Sequence, residues 1–97
     1  MNAKLPGMIG LAKRAGKLVS GTDTVMRLIR SGKAKMVLLD RGASENSKKQ
    51  ITDKCETYKV TLCELDEGLL DAAIGESGRM TAAINDEQFA KTIRNLI

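Results

Sequence analysis

Several residue types are absent or scarce in this 97-residue sequence, and each absence excludes a class of protein chemistry. There is no histidine, which removes His-based catalysis, His metal ligands and the Ser/His/Asp and Cys/His catalytic arrangements together. Tyr58 and Phe89 are the only aromatic residues, so the sequence lacks the platforms on which sequence-tolerant single-strand binders stack bases. An RNA partner would therefore have to be recognised by its shape.

Long apolar runs are also missing. No stretch approaches the ~20 apolar residues needed to span a bilayer, and the start MNAKLPGMIG has no signal-peptide hydrophobic region. We therefore expect a cytoplasmic protein without a membrane partner.

Cysteine is limited to Cys55 and Cys63, which have neither metal-type spacing nor a secretory context. We expect two free, buried thiols, because unpaired cysteine is among the most often buried residue types. The sequence accordingly predicts no disulfide, no metal site and no cofactor.

The common nucleotide-binding loops do not occur. Neither G-x-x-x-x-G-K-[ST] nor G-x-G-x-x-G is present. Asp40 ends the apolar run MVLLD, where a phospho-accepting receiver domain carries its aspartate, but Mg²⁺ there needs neighbouring acids and the preceding short strand ends in Ser20. We interpret Asp40 as a turn-forming residue and predict no catalytic residues.

Positive charge is what the sequence has in modest excess. Sixteen Lys and Arg against twelve Asp and Glu give a net charge of +4, which favours a polyanionic partner without identifying one. The length suits one domain over residues 1–97, able to bury roughly 60 to 65% of its unfolded surface.

The apolar pattern alternates between helical and strand periods along the whole chain. The residues predicted to face inward on the helices include Leu11, Ala15, Val25, Leu28, Ile29 and Tyr58, and Asp86 is expected to cap the last helix. Helices are predicted over 4–16, 20–31, 44–59, 66–74 and from 86 onward, with strands over 18–19, 36–39, 60–65 and 80–84. This alternation predicts an α/β layered fold whose small sheet is covered on both faces.

The second predicted helix admits two interpretations. Ser20 and Asp23 fit the Ser-x-x-Asp/Glu capping box, which would make the stretch an ordinary capped amphipathic helix. A helix N-terminus is also an anion site, and Gly21 would let another backbone approach it closely. Cations continue along the exposed face and beyond the helix end, at Arg27, Arg30, Lys33 and Lys35.

Three segments together resemble the kink-turn-binding large-subunit ribosomal protein family of archaea and eukaryotes, the "seven-Ae" family, and most of all its bacterial YlxQ-type branch. GTDTVMRLIRSGKAKMVLL is similar to the family's Gly-Thr-Asn-Glu-Val-Thr-Lys helix start with its Gly-x-Ala-Lys turn and apolar strand. TDKCETYKVTL resembles the third helix and strand, and LLDAAIG resembles the Leu-Gly-x-x-x-Gly segment. The similarity extends over nearly the whole chain.

The resemblance implies a three-layer α/β/α sandwich with a small, four-stranded mixed sheet. It also implies binding of RNA kink-turns, in which tandem sheared G·A pairs bend the duplex sharply and admit a helix end that an ordinary major groove excludes. The RNA-binding residues that it implies are the helix start Gly21, Thr22, Asp23 and Thr24, the cations Arg27, Lys33 and Lys35, and the loop Gly75, Glu76, Ser77, Gly78 and Arg79.

Four departures from the family pattern bear on this contact, and two of them put Thr24 in place of its Glu and Val19 and Ser20 in place of the basic pair before its glycine. Asp23 stands where the family has Asn. Because a carboxylate accepts hydrogen bonds and cannot donate them, Asp23 would need the N1–H or N2–H₂ group of a guanine as its donor. The loop from Glu76 to Arg79 is polar where the family's loop is apolar.

Three functions remain open from the sequence. The first is a monomeric, non-enzymatic protein that binds structured RNA such as ribosomal RNA and stabilises a kinked duplex. The second is the RNA-recognition module of a separate RNA-modifying enzyme. The third is a protein-interaction domain whose basic face meets an acidic partner.

Overall fold

Helices and strands alternate along the chain as the apolar pattern predicts. The protein is represented by a computed structural model, which describes residues 3–97. In chain order the elements are α1 (Leu5–Arg14), β1 (Leu18–Ser20), α2 (Thr22–Arg30), β2 (Met36–Asp40), α3 (Glu45–Tyr58), β3 (Leu62–Leu65), α4 (Leu69–Ile74), β4 (Thr81–Ile84) and α5 (Glu87–Leu96).

The four strands form one mixed sheet in the spatial order β1-β4-β2-β3. β4 lies antiparallel to both β1 and β2, whereas β2 and β3 are parallel. Every residue of β2 is buried, as expected for a central strand that is covered on both faces.

Helices cover both faces of the sheet, which confirms the predicted sandwich. The side chains of β2 and β4 alternate between two cores, so that Leu38 and Ala82 join one while Val37 and Ala83 join the other. The first core contains α1, α4 and α5 residues, and the second contains α2 and α3 residues. The outer layers are therefore α1, α4 and α5 on one face and α2 and α3 on the other.

Gly10 allows α1 and α4 to pack closely. A Cβ atom at this position would lie 2.9 Å from the Ala73 carbonyl oxygen, a contact that a side chain does not tolerate. Leu5 and Ile9 of α1 are completely buried, in the same core as Leu70 and Ile74 of α4. The small residue therefore sets the distance between the two helices.

Three apolar residues predicted to face inward do not. Leu11 and Tyr58 are each 44% exposed, and Ala15 lies beyond the end of α1 as its exposed C-cap. Leu11 lies at the edge of the apolar stripe of α1, and Tyr58 is the last residue of α3, so both are left outside the two cores. Val25, Ile29 and the predicted cap Asp86, which accepts from the Phe89 N–H at 2.9 Å, agree with the prediction.

Both cysteines are free thiols. Cys55 is buried as predicted, and burial raises its pKa to about 11. Cys63 is only half-buried, which corrects the prediction, because it lies on β3 at the edge of the sheet. Its pKa is raised by burial, while the Arg94 charge lowers it and partly offsets that effect.

The two ends of the sheet are distinguished by the strands that begin or finish there. At one end, called the helix-start end below, β1 finishes at Ser20, β4 begins at Thr81 and α2 starts. At the other, called the opposite end, β2 begins at Met36, β3 begins at Leu62 and β4 finishes. Among residues 3–97, no helix has both the length and the apolar character needed to cross a bilayer.

Candidate nucleic-acid interface

The start of α2 lacks the side-chain cap that the sequence suggests. Ser20 is the last residue of β1, Gly21 is the N-cap, and no side chain caps the helix, so the capping-box interpretation is wrong. The first intrahelical bond runs from the Val25 N–H to the Gly21 carbonyl at 2.9 Å. The N–H groups of Thr22, Asp23 and Thr24 therefore have no intrahelical acceptor.

Gly21 is required at this position by its conformation and its surroundings. Its φ of 97° lies in the region that favours glycine, and its N–H donates to the Thr81 carbonyl at 3.0 Å, which fastens the helix start to β4. An added Cβ would lie 2.9 Å from Nη1 of Arg79. The sheet thus brings the helix start and the 75–79 loop together.

The first turns of α2 carry polar side chains beside a groove. Asp23 and Arg27 are exposed, and Nη2 of Arg27 donates to Oγ1 of Thr24 at 3.4 Å. Asp23, Met26, Arg27, Arg30 and Gln50 line a groove of about 280 Å³. Acceptor and cationic groups therefore alternate along this flank of the helix start.

Asp71 of α4 fixes the loop before β4. Its carboxylate accepts from the Arg79 N–H at 2.7 Å and from the Gly78 N–H at 3.0 Å. These two charge-assisted bonds hold the loop backbone in a defined shape. Asp71 is not among the residues predicted from the sequence, since its donors lie seven and eight residues away and no local motif signals the contact.

Side chains of this loop form a small charge network with α1. Oε2 of Glu76 lies 3.5 Å from Nε of Arg79 and 3.6 Å from Nζ of Lys13. Lys13 also donates to the Ile74 carbonyl at 2.8 Å. All three charged side chains are well exposed, so the network orients Arg79 while leaving it accessible. Lys13 is a second residue of the site that the sequence did not predict.

Thr81 lies beneath the helix start with an unsatisfied hydroxyl. Its side chain is 1% exposed, and its Oγ1 has no hydrogen-bond partner among residues 3–97. An unpartnered buried hydroxyl reduces stability, since it has lost its hydrogen bonds to water.

Asp40 is the turn-forming residue that its position predicts. It is completely buried, and its two carboxylate oxygens accept from the Gly42 N–H at 2.7 Å and the Gly68 N–H at 2.9 Å. Both oxygens therefore hold together the loops that follow β2 and β3. Within residues 3–97, no group of three or more His, Cys, Asp or Glu side chains is arranged to hold a metal ion.

Two of the predicted cations lie away from the helix start. Lys33 and Lys35 follow α2 at the opposite end, where the Lys35 N–H donates to the Ile84 carbonyl at 2.8 Å. The five residues of β2 separate the two ends by about 13 Å. The fold therefore groups residues 21–24, Arg27 and residues 75–79, and leaves Lys33 and Lys35 apart from them.

Comparisons with known proteins agree on one family. The family model described as "Ribosomal protein L7Ae/L30e/S12e/Gadd45 family" matches residues 3–94. The RNA-binding protein YlxQ of Bacillus subtilis (strain 168) is 42% identical over 91 residues, covering 93% of this chain and 91% of the relative. The RNA-binding protein YlxQ of Enterococcus faecium is 42% identical over 95 residues, covering 97% and 91%.

Solved structures share the same fold. A protein of unknown function from Bacillus halodurans C superposes with a TM-score of 0.92 at 29% identity, covering 97% of this chain and 96% of that one. The Giardia lamblia 15.5kD RNA binding protein superposes with a TM-score of 0.74 at 15% identity, covering 97% and 88%. At that identity the second likeness bears on the fold alone.

Proposed function

The chain belongs to the ribosomal protein L7Ae/L30e/S12e/Gadd45 family, and on that basis we propose that it is a non-enzymatic RNA-binding protein that recognises kink-turn RNA. The observation that carries this proposal is the uncapped start of α2, fastened beside the 75–79 loop by the bond between Gly21 and Thr81. Two relatives that are 42% identical over most of their length are RNA-binding proteins by name.

The start of α2 supplies unpaired donors and one acceptor to the RNA. The N–H groups of Thr22, Asp23 and Thr24 point away from the helix and favour electronegative groups such as guanine O6 or a phosphate oxygen. The Asp23 carboxylate accepts from guanine N1–H or N2–H₂. A sheared G·A pair exposes such base edges in a widened groove, which a regular RNA duplex does not.

The loop from Gly75 to Arg79 contacts the unstacked nucleotides of the kink. Asp71 holds its backbone in place before RNA arrives, which reduces the entropy lost on binding. Arg79, close to Gly21, is positioned to reach a phosphate or to stack on a base. Glu76, Ser77 and Gly78 make the loop polar, so bulged nucleotides are held by hydrogen bonds more than by aliphatic contacts.

Cations on the flank of α2 hold the phosphates. Arg27 is the predicted cation nearest to the helix start, and Lys33 and Lys35 reach only RNA that extends past the opposite end. Structured RNA, including ribosomal RNA, is the partner class that fits this arrangement. We place the protein in the cytoplasm as a monomer associated with such RNA, without a cofactor.

A binding comparison tests the proposal. The protein is titrated at physiological salt with a kink-turn duplex and with the same duplex in which Watson–Crick pairs replace the G·A pairs. We expect tighter binding to the kink-turn, since recognition depends on a shape that the control duplex lacks. Equal affinity for the two duplexes in a gel-shift titration would contradict the kink-turn assignment.

A further inference from the structure

A second group of cations lies at the opposite end of the sheet. Lys35, Lys91 and Arg94 are all exposed and line a common narrow groove of about 90 Å³. The rest of its lining consists of Met36, Thr61, Glu87 and Ala90. We call this surface the α5 groove. Lys91 and Arg94 are three residues apart on one helix and so project from the same side.

The cations of the α5 groove are available for an external anion. Within residues 3–97, neither Lys35 nor Lys91 nor Arg94 forms an ion pair within 4.0 Å. Glu87 lies in the same groove, four residues before Lys91, yet it does not pair with it at this distance. The local balance is three positive charges against one negative charge.

The chemistry of the groove favours nucleic acid over protein. Stable protein interfaces have an apolar core, but the exposed large apolar residues of the described chain are Leu11, Tyr58 and Ile97, and none lines the α5 groove. The apolar residues that do line it, Met36 and Ala90, are buried. Interfaces with nucleic acid are instead polar and strongly positive, which matches this surface.

We propose that the α5 groove is a second RNA-binding surface, which holds the phosphodiester backbone of a stem leading away from the kink. The inference rests on the proposed function for the identity of the ligand as RNA. The two surfaces are separated by at least the length of β2, about 13 Å. A kink-turn with very short stems therefore contacts the helix start alone, while longer stems also contact Lys35, Lys91 and Arg94.

Two RNAs and two matched variants test this surface. One RNA is a kink-turn with minimal stems, and the other is the same kink-turn with each stem extended by a helical turn. The groove variant is Lys91→Glu/Arg94→Glu. The control variant, Lys49→Glu/Lys54→Glu, makes the same change in net charge on α3, outside the groove. Thermal unfolding of both variants verifies that they fold.

We expect the wild-type protein to bind the extended RNA on the order of tenfold more tightly than the minimal one, with a salt slope steeper by about 2. The groove variant should lose this gain and keep the affinity for the minimal RNA within about twofold, because its helix start is unchanged. The control variant should keep the gain. An equal loss in both variants would indicate a net-charge effect and overturn the proposal, as would a gain that survives in the groove variant.

Two further arms distinguish a second RNA surface from a protein-binding one. Extended RNA without the G·A pairs tests the groove independently, since loss of its binding in the groove variant supports the second surface even if the kink-turn proposal fails. Polyglutamate stands for an acidic protein partner. If polyglutamate binds in a groove-dependent way while stem extension gives no gain, the surface is a protein site and the RNA proposal is wrong.

Discussion

Several cations at the helix-start end, although not Arg27, are paired with carboxylates, whereas the cations of the α5 groove are not paired within the described chain. Arg79, Lys13, Arg41 and Lys48 each have a carboxylate oxygen between 2.7 and 3.9 Å away. The three cations of the α5 groove have none within 4.0 Å among residues 3–97. The described cations at the two ends of the sheet thus differ in how many of them are paired with a carboxylate.

The difference indicates a division of work between the two surfaces. Under the proposed function, hydrogen bonds and a fixed loop shape at the helix-start end would select the RNA, while the ion pairs of Arg79 and Lys13 with Glu76 would limit unspecific attraction. Under the further inference, the unpaired cations at the opposite end would attract any phosphate backbone and contribute affinity without specificity. Substitutions at four residues of the helix-start end test this contrast, and they are ordered by decreasing effect.

Asp71→Ala should have the largest combined effect, because release of the loop at the helix-start end lowers both stability and RNA affinity. Loss of two charge-assisted bonds to the Gly78 and Arg79 N–H groups should reduce the free energy of unfolding by about 2 kcal/mol. Kink-turn affinity should fall by about tenfold, since the loop must then be ordered on binding. Urea unfolding and gel-shift titration measure the two effects.

Asp53→Ala is the matched control, since Asp53 is exposed on α3 and its carboxylate forms no hydrogen bond or ion pair with another of residues 3–97. Asp53→Ala should change neither the free energy of unfolding nor the kink-turn affinity appreciably. Similar losses in both variants would mean that net charge, and not the fixed loop, explains the result.

Asp23 tests whether the helix-start end reads bases. Because Asp23 does not cap α2, Asp23→Ala should change stability by less than about 1 kcal/mol through the helix dipole. It should weaken kink-turn binding by about 1 to 3 kcal/mol, the range of a good base-edge contact, and leave a plain duplex unaffected. Asp23→Asn should bind at least as tightly as Asp23→Ala, because its amide can still form a hydrogen bond to a base edge whereas the Ala side chain cannot. Unchanged affinity in both variants would leave α2 binding RNA through its backbone and neighbouring cations.

Thr81→Val addresses the same end without altering charge. Replacing an unpartnered buried hydroxyl with a methyl group of similar size should raise the free energy of unfolding by about 1 kcal/mol. RNA affinity should stay the same, since the side chain is 1% exposed. A thermal melt measures the first quantity, and a drop in stability would show that the hydroxyl has a partner in solution, such as a buried water.

Glu76→Gln should make the helix-start end more like the opposite end. It frees Arg79 and Lys13 from an exposed ion-pair network, which is worth only about 0.5 kcal/mol. RNA affinity should rise about twofold, with a steeper salt dependence and reduced discrimination between kinked and straight duplexes. The control is Glu56→Gln, which makes the same charge change at an exposed residue of α3. An equal gain in RNA affinity in this control would show that net charge causes the effect.

Local patterns predicted much of the fold, whereas the candidate RNA-binding residues came from the family resemblance. The apolar run at Met36 to Leu39 identified a central strand, and the order of elements followed from periods of two and 3.6 residues. The capping-box prediction failed because Gly21 bonds to Thr81, a contact between residues far apart in the chain. The same limit applies to Asp71, whose role exists only once α4 and the 75–79 loop have folded together.

The placement of β4 in the middle of the sheet has a consequence for how the chain acquires its structure during synthesis. β2 and β3 pair early along the chain, but β1 has no neighbour until β4 arrives, since Leu18 pairs with Ile84. A pairing between such distant segments closes a long loop and slows folding. We therefore expect the α2 start to remain without its anchor on a nascent chain, so that the protein becomes competent to bind RNA only after β4 has left the ribosome.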